Sequence, residues 1–253
     1  DIPAYVGSDT LVVVFDAPTW HNVAEDILAH CTEAEASMLF ISHEAISVRD
    51  PSVRGNVVTF RLPARLHTLR DARYSFVPAF AILAGIRELD ITQADFTEPE
   101  AVMTRLDWVM GPNIHPDVNQ ARRISDCLAG KAVFIYGTAN MTAGVAMRWK
   151  EQIRKATGQL VAAYELPDVI VNEPSLPFPD LAVERQMLFL RDPDEHNGMR
   201  RKFHELAQAN KNLIPEVIEI CGEGTSQLAR VCSLAYIGDF VTAYLALKKD
   251  RPI

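Results

Sequence analysis

Short apolar runs punctuate the chain at Leu11–Phe15, Met38–Ile41, Val57–Leu62, Ala132–Tyr136, Leu160–Tyr164, Met187–Leu190 and Val217–Cys221. Each is too short for a helix and rich in strand formers, so each reads as a buried strand. Between them apolar residues recur at helical spacing. Val23–His30 turns Val23, Ile27 and Leu28 inward, and Tyr74–Leu89 is mostly apolar. Ala101–Met110 carries Val102, Leu106 and Val109 on one face, and Val118–Leu128 is closed by Gly130. A helix after Thr142 aligns Val145, Trp149 and Ile153; Asn197–Asn210 is a polar helix and Thr225–Leu247 a long apolar one. Strand, helix, strand at these intervals calls for right-handed crossovers and parallel sheets. Thr92–Pro99, polar and acidic, reads as a linker, and Pro167–Pro179, with four prolines, as a surface loop. The pattern predicts an α/β protein of two sandwiches in tandem, residues 1–95 and 96–253, each a parallel sheet with helices on both faces.

The stretch Lys131–Lys155 concentrates this pattern into a strand, a polar turn and a helix. Gly137 permits a tight turn, and Thr138, Asn140 and Thr142 can each cap the helix that follows. Such a turn sits where a parallel sheet presents its ligand crevice, and a helix N-terminus there can hold an anion. The alternative is a plain strand–helix unit with no ligand. Charge narrows the candidates: the formal net charge is -8 and the pI about 5.4, which argues against non-specific nucleic-acid binding. An anionic substrate must therefore be met by local cations or backbone amides. Arg65, His67, Arg70 and Arg73 form an unusually basic run that supplies such cations or else a solvated face. The four cysteines show no metal-ligand spacing, so buried free thiols in a reducing cytosol are expected, with no metal and no cofactor. No signal peptide and no apolar run long enough to span a bilayer stand out, which points to a cytoplasmic protein without a membrane partner.

The run KAVFIYGTANMTAGVAMRWKEQI resembles the second sugar-isomerase (SIS) domain of the bifunctional phosphoglucose/phosphomannose isomerases, which carry a strand, a glycine turn and an Arg-Trp-Lys-x-Gln helix here. Arg148-Trp149-Lys150-Glu151-Gln152 matches that helix. Gly222–Leu228, Gly238-Asp239-Phe240 and Ala243-Tyr244-Leu245-Ala246 resemble the family's glycine–serine turn and final helix, and Asn119-Gln120-Ala121 its entry to the second domain. Leu69-Arg70-Asp71-Ala72, with Tyr74 and Pro78, resembles its Pro-Arg-Ala-Ala segment. The resemblance implies two tandem SIS domains, a homodimer, a phosphorylated sugar ligand and metal-free aldose–ketose isomerisation through an enediol. That chemistry asks for a base, a ring-opening acid/base and a cation to steady the enediolate. Arg70 is the implied cation and the one catalytic candidate.

Departures from the family pattern are equally informative. The family's Ser-x-Ser-Gly-x-Thr phosphate turn is replaced by Asp16–Asn22, where Asp16 repels an anion and Pro18 lacks an amide donor. Thr19, His21 and Asn22 offer partial replacement as substrate-binding residues, together with Thr138, Asn140, Arg148 and Lys155. Lys155 stands in place of the family's carboxylate, and Val171 in place of its histidine. The family's Gly-rich first turn has no counterpart, so the first domain is expected to be N-terminally incomplete. Arg148 and Lys150 also read as surface charges, Asp239 as a structural hydrogen-bonding residue, Trp149 as core, and His115 and His204 as surface histidines. His196-Asn197 lies too late to replace the lost histidine. Two readings follow: a phosphosugar isomerase with relocated chemistry, or a non-catalytic sugar-phosphate-binding or regulatory protein.

Overall fold

The computed structural model describes residues 2–15, 21–42, 57–61, 85, 92–139, 141–168 and 183–249. The chain divides into two compact units, Asp1–Ile91 and Thr92–Ile253. In the first, the described elements are β1 (Leu11–Phe15), α1 (His21–Glu33), β2 (Ser37–Ser42) and β3 (Val57–Arg61). The strands pair in parallel in the order β1-β2-β3, with Leu11 opposite Ser37 and Met38 opposite Val57. The two-residue strand period then sorts the side chains. Met38 and Phe40 pack with Cys31, Ala36, Ile27 and Leu28, whereas Leu39 and Ile41 pack with Val13 on the opposite face. The backbone of α1 starts at His21, two residues before the Val23 expected from periodicity. Apart from Gly85, which is helical, the predicted helix Tyr74–Leu89 lies outside the described residues, as does most of the predicted loop Pro167–Pro179.

The second unit opens with a 3-10 turn, Gln93–Phe96, leading directly into α2 (Thr97–Met110) and then α3 (Gln120–Leu128). There follow β4 (Ala132–Thr138), α4 (Ala143–Thr157), β5 (Val161–Leu166), β6 (Arg185–Arg191), α5 (Asn197–Ala209), β7 (Val217–Cys221) and α6 (Gln227–Lys248). All four strands are parallel, in the order β5-β4-β6-β7. Every residue of β4 is buried, because helices cover both faces of the sheet. Val133, Ile135, Leu188 and Leu190 pack against residues of α2, α3, α4 and α6; Phe134, Tyr136, Met187 and Phe189 pack against Phe203 and Leu206 of α5. The result is an αβα sandwich with parallel strands.

α6 is the axis of the first of these layers. Trp149 of α4 is 0% exposed, and its indole donates to the Leu234 carbonyl at 2.9 Å. The ring lies over Gly238, where an added Cβ would collide with it, so the mid-helix glycine is set by packing. α6 is also long and apolar enough to cross a membrane, contrary to the expectation from composition; half of its most apolar window is buried inside the protein. The polar stretch Thr92–Pro99 is not a linker. Asp95 accepts from the Thr92 amide at 2.6 Å and hydroxyl at 2.8 Å, closing the 3-10 turn. Glu98, Pro99 and Glu100 then occupy the first turn of α2, where acidic side chains and proline suit a helix start. These elements belong to the second unit, which runs from Thr92. The cysteines are free thiols, but Cys127 and Cys221 are exposed rather than buried.

Candidate functional site

In the second unit the chain leaves β4 toward β5 on one side, and β6 continues toward β7 on the other. The carboxyl ends of β4 and β6 therefore flank a topological switch point, where open parallel sheets form a crevice. Three turns meet along this edge: β4–α4, β6–α5 and β7–α6.

The β4–α4 turn is closed by its own hydroxyls. The Thr138 amide donates to Thr142 Oγ1 at 2.8 Å, and Thr142 Oγ1 donates to the Leu190 carbonyl at 2.8 Å. Thr142 has thus given away its proton, so the 3.3 Å contact between the two hydroxyls has Thr138 as donor. Thr138 is 6% exposed at the strand tip. Gly137 runs so close to the start of α4 that an added Cβ would lie 2.6 Å from the Thr142 carbonyl. Asn140 lies outside the described residues. Gln227, the first residue of α6, donates to Met141 Sδ at 2.9 Å and ties this turn to the next helix.

At the ends of β6 and β7 the cations are already paired. Arg230 Nε meets Asp192 Oδ2 at 3.2 Å, and its Nη1 meets the Thr225 carbonyl at 2.6 Å and Asp194 Oδ2 at 2.9 Å. Arg191 forms a bidentate pair with Glu195, reaches Glu219, and lies 4.3 Å over the Phe203 ring. His196 caps α5 by accepting the Gly198 amide at 3.0 Å, so the His196-Asn197 pair serves a helix start.

The β7–α6 turn holds an anion from within the chain. Glu98 Oε1 accepts from the Thr225 amide at 2.6 Å and the Thr225 hydroxyl at 2.7 Å, and Oε2 accepts from the Ser226 amide at 3.0 Å. Hydrogen bonds from the Ser226 side chain, the Thr225 amide and hydroxyl and the Ser226 amide hold the Glu98 carboxyl down at about 2. Gly224, at φ +114, lets the backbone turn so that these groups converge. Nothing local in the sequence announces this partnership, since the residues are 127 and 128 positions apart.

The other candidates fall in different places. Arg148 Nη2 donates to Asp239 Oδ1 at 2.6 Å, and Gln152 Nε2 donates to the same oxygen at 2.7 Å, joining α4 to α6. Asp239 is the structural hydrogen-bonding residue the sequence suggested. Lys155 is exposed in the last turn of α4. It lies about 18 Å of helix from Ala143, so the structure does not bring it beside Thr138. In the first unit the backbone sets His21 and Asn22 in the first turn of α1, after β1. Thr19 and Arg70 lie outside the described residues, as does Val171. His115 and His204 are exposed, and Trp149 is core, as expected. No cluster of His, Cys, Asp or Glu able to hold a metal occurs among the described residues.

Residues 117–251, more than half of the chain, match the family model of the bacterial phospho-glucose isomerase C-terminal SIS domain. The chain belongs to this family. A bifunctional phosphoglucose/phosphomannose isomerase from Caldicellulosiruptor bescii is 25% identical over 250 residues, covering 97% of this chain and 73% of that protein. Among solved structures, the tagatose-6-phosphate ketose/aldose isomerase from Escherichia coli aligns with a TM-score of 0.67 at 12% identity, over 98% of this chain and 72% of the other. A glucose-6-phosphate isomerase like protein from Thermus thermophilus aligns at 0.61 and 14% identity, over 94% and 72%. The shared architecture is thus that of the SIS phosphosugar isomerases, and the SIS domain's switch-point edge is the one described above.

Proposed function

We propose that this SIS protein binds a hexose 6-phosphate, with Thr19, His21 and Asn22 meeting the phosphate and Arg70 as the cation. Family membership carries the reading. The second unit adds a constraint. Along its strand-tip edge Arg191 and Arg230 are both engaged by carboxylates, and Glu98, Asp192, Asp194, Glu195 and Glu219 make the edge acidic. A phosphate dianion gains little there, which favours the first unit's helix head as the anion site. Within the second unit Thr138, at the β4 tip, is a candidate contact for a sugar hydroxyl, whereas Arg148 is engaged by Asp239 and Lys155 lies at the far end of α4, so neither joins it. The protein acts in the cytoplasm as a homodimer.

Turnover is the finer question. Reversible aldose–ketose isomerisation needs a group that accepts the C1/C2 proton. A lysine ammonium offers donors and no acceptor, so Lys155 does not replace the family's carboxylate as base. This observation favours a sugar-phosphate-binding or regulatory protein over an active isomerase. Purified protein incubated with fructose 6-phosphate, glucose 6-phosphate and mannose 6-phosphate separates the two. The binder raises the melting temperature with these esters and does not interconvert them. Interconversion well above the buffer blank restores the isomerase reading. Arg70→Ala should weaken binding more than Lys150→Ala; equal effects remove Arg70 from the site.

A further inference from the structure

α2 is stitched to α6 along its length, but unevenly. Toward its C-terminal end Val102, Leu106 and Met110 are buried, and the Tyr244 hydroxyl donates to the Met110 carbonyl at 2.6 Å. Asn119 Nδ2 reaches the same carbonyl at 2.9 Å, and Tyr236 donates to Asp107. Toward its N-terminal end the fully buried apolar contribution shrinks to Pro99, with Phe96 half-buried just before the helix. There the contacts are the bonds from Thr225 and Ser226 to Glu98; the exposed Arg105–Glu223 pair comes about two turns later, past Val102. Regions with few buried apolar contacts and exposed hydrogen bonds open first, without the rest of the fold.

We propose that Glu98 is a conformational clasp: its carboxylate holds Thr92–Glu100, where the chain enters the second unit, onto the head of α6, and the two segments open and close as one local unit. When closed, the Thr225 and Ser226 amides are capped by a carboxylate from another helix. When open, both amides face solvent at the strand-tip edge while the α2–α6 seam from Val102 onward stays in place. The turn Gln93–Phe96 has its own closure through Asp95 and Thr92, so it moves as a piece and does not need to unravel. The carboxylate's charge matters because the Thr225 amide and hydroxyl and the Ser226 amide all donate to it, and charge-assisted bonds are roughly twice as strong as neutral ones.

Hydrogen exchange read by mass spectrometry on the full chain tests this. Glu98→Gln keeps the shape and removes the charge; Glu98→Ala removes both. Each should accelerate exchange about tenfold in peptides spanning 92–100 and 222–228 together, with strands 132–138 and 187–190 unchanged. Asp95→Asn is the comparison: it should loosen 92–96 and leave 222–228 at the wild-type rate. The clasp is overturned if 222–228 is unaffected by Glu98→Gln, or if Asp95→Asn reproduces the effect. It is equally overturned if the strands accelerate in step, which marks Glu98 as a support of global stability only.

Discussion

The β4–α4 and β7–α6 turns end at helix heads along one edge of one sheet, yet they are closed by opposite means. The first is self-sufficient: Thr138 and Thr142, four residues apart, exchange bonds with each other and with the neighbouring strand through Leu190. The second is completed from afar, by Glu98 at its amides and by Asp192 through Arg230. A turn closed by short-range hydroxyls is neutral and local. One closed by imported carboxylates makes the edge acidic and links it to other elements. Polar groups along a strand-tip edge of a SIS domain can thus be satisfied by the chain itself, from near or from far in sequence.

Breaking the long-range closure at its buried member should cost most. Arg230→Met leaves Asp192, 6% exposed, without its cation and should destabilise the protein by about 4 kcal/mol in urea unfolding. Breaking the local turn comes next. Gly137→Ala drives a methyl into the Thr142 backbone and should cost about 3 kcal/mol by the same measurement. Thr142→Val keeps the shape but strands the Thr138 amide and the Leu190 carbonyl, for about 2 kcal/mol. If Thr142→Val matched Arg230→Met, the contrast between the turns would collapse.

The smallest effect sharpens the contrast by pH. The Glu98 carboxyl is held near 2 against an ordinary 4.5, so the closed turn binds fewer protons than the unfolded chain between those values. Its contribution is present in full above about pH 4.5 and disappears as pH falls through about 2. Carbon-detected NMR titration should place the Glu98 midpoint far below those of solvated glutamates. A midpoint near 4.5 would show an open turn in solution.

Much of this architecture was legible because parallel strands covered on both faces must be continuously apolar, as Ala132–Tyr136 is. Trp149 was legible as core from its helical spacing with Val145 and Ile153. The start of α2 was misread because Thr92–Pro99 is acidic, although acidic residues and Pro99 suit a first helical turn. The partners of Glu98, Arg148 and Arg230 were not legible, since hydrogen bonds and ion pairs across 38 to 128 positions leave no periodicity. The cysteines misled for a related reason: lack of ligand spacing excludes a metal motif but does not dictate burial. For the site, sequence could place Thr138 at a strand tip and Lys155 twelve helical residues beyond Ala143, hence at the other end of α4. It could not show that Arg148 would be engaged by Asp239.

Calorimetric titration of the full chain with glucose 6-phosphate, set beside glucose, tests the central claim most directly. The account predicts saturable binding of the phosphate ester, no detectable binding of the free sugar, and loss of affinity in Arg70→Ala. Equal binding of both sugars, or of neither, would contradict it.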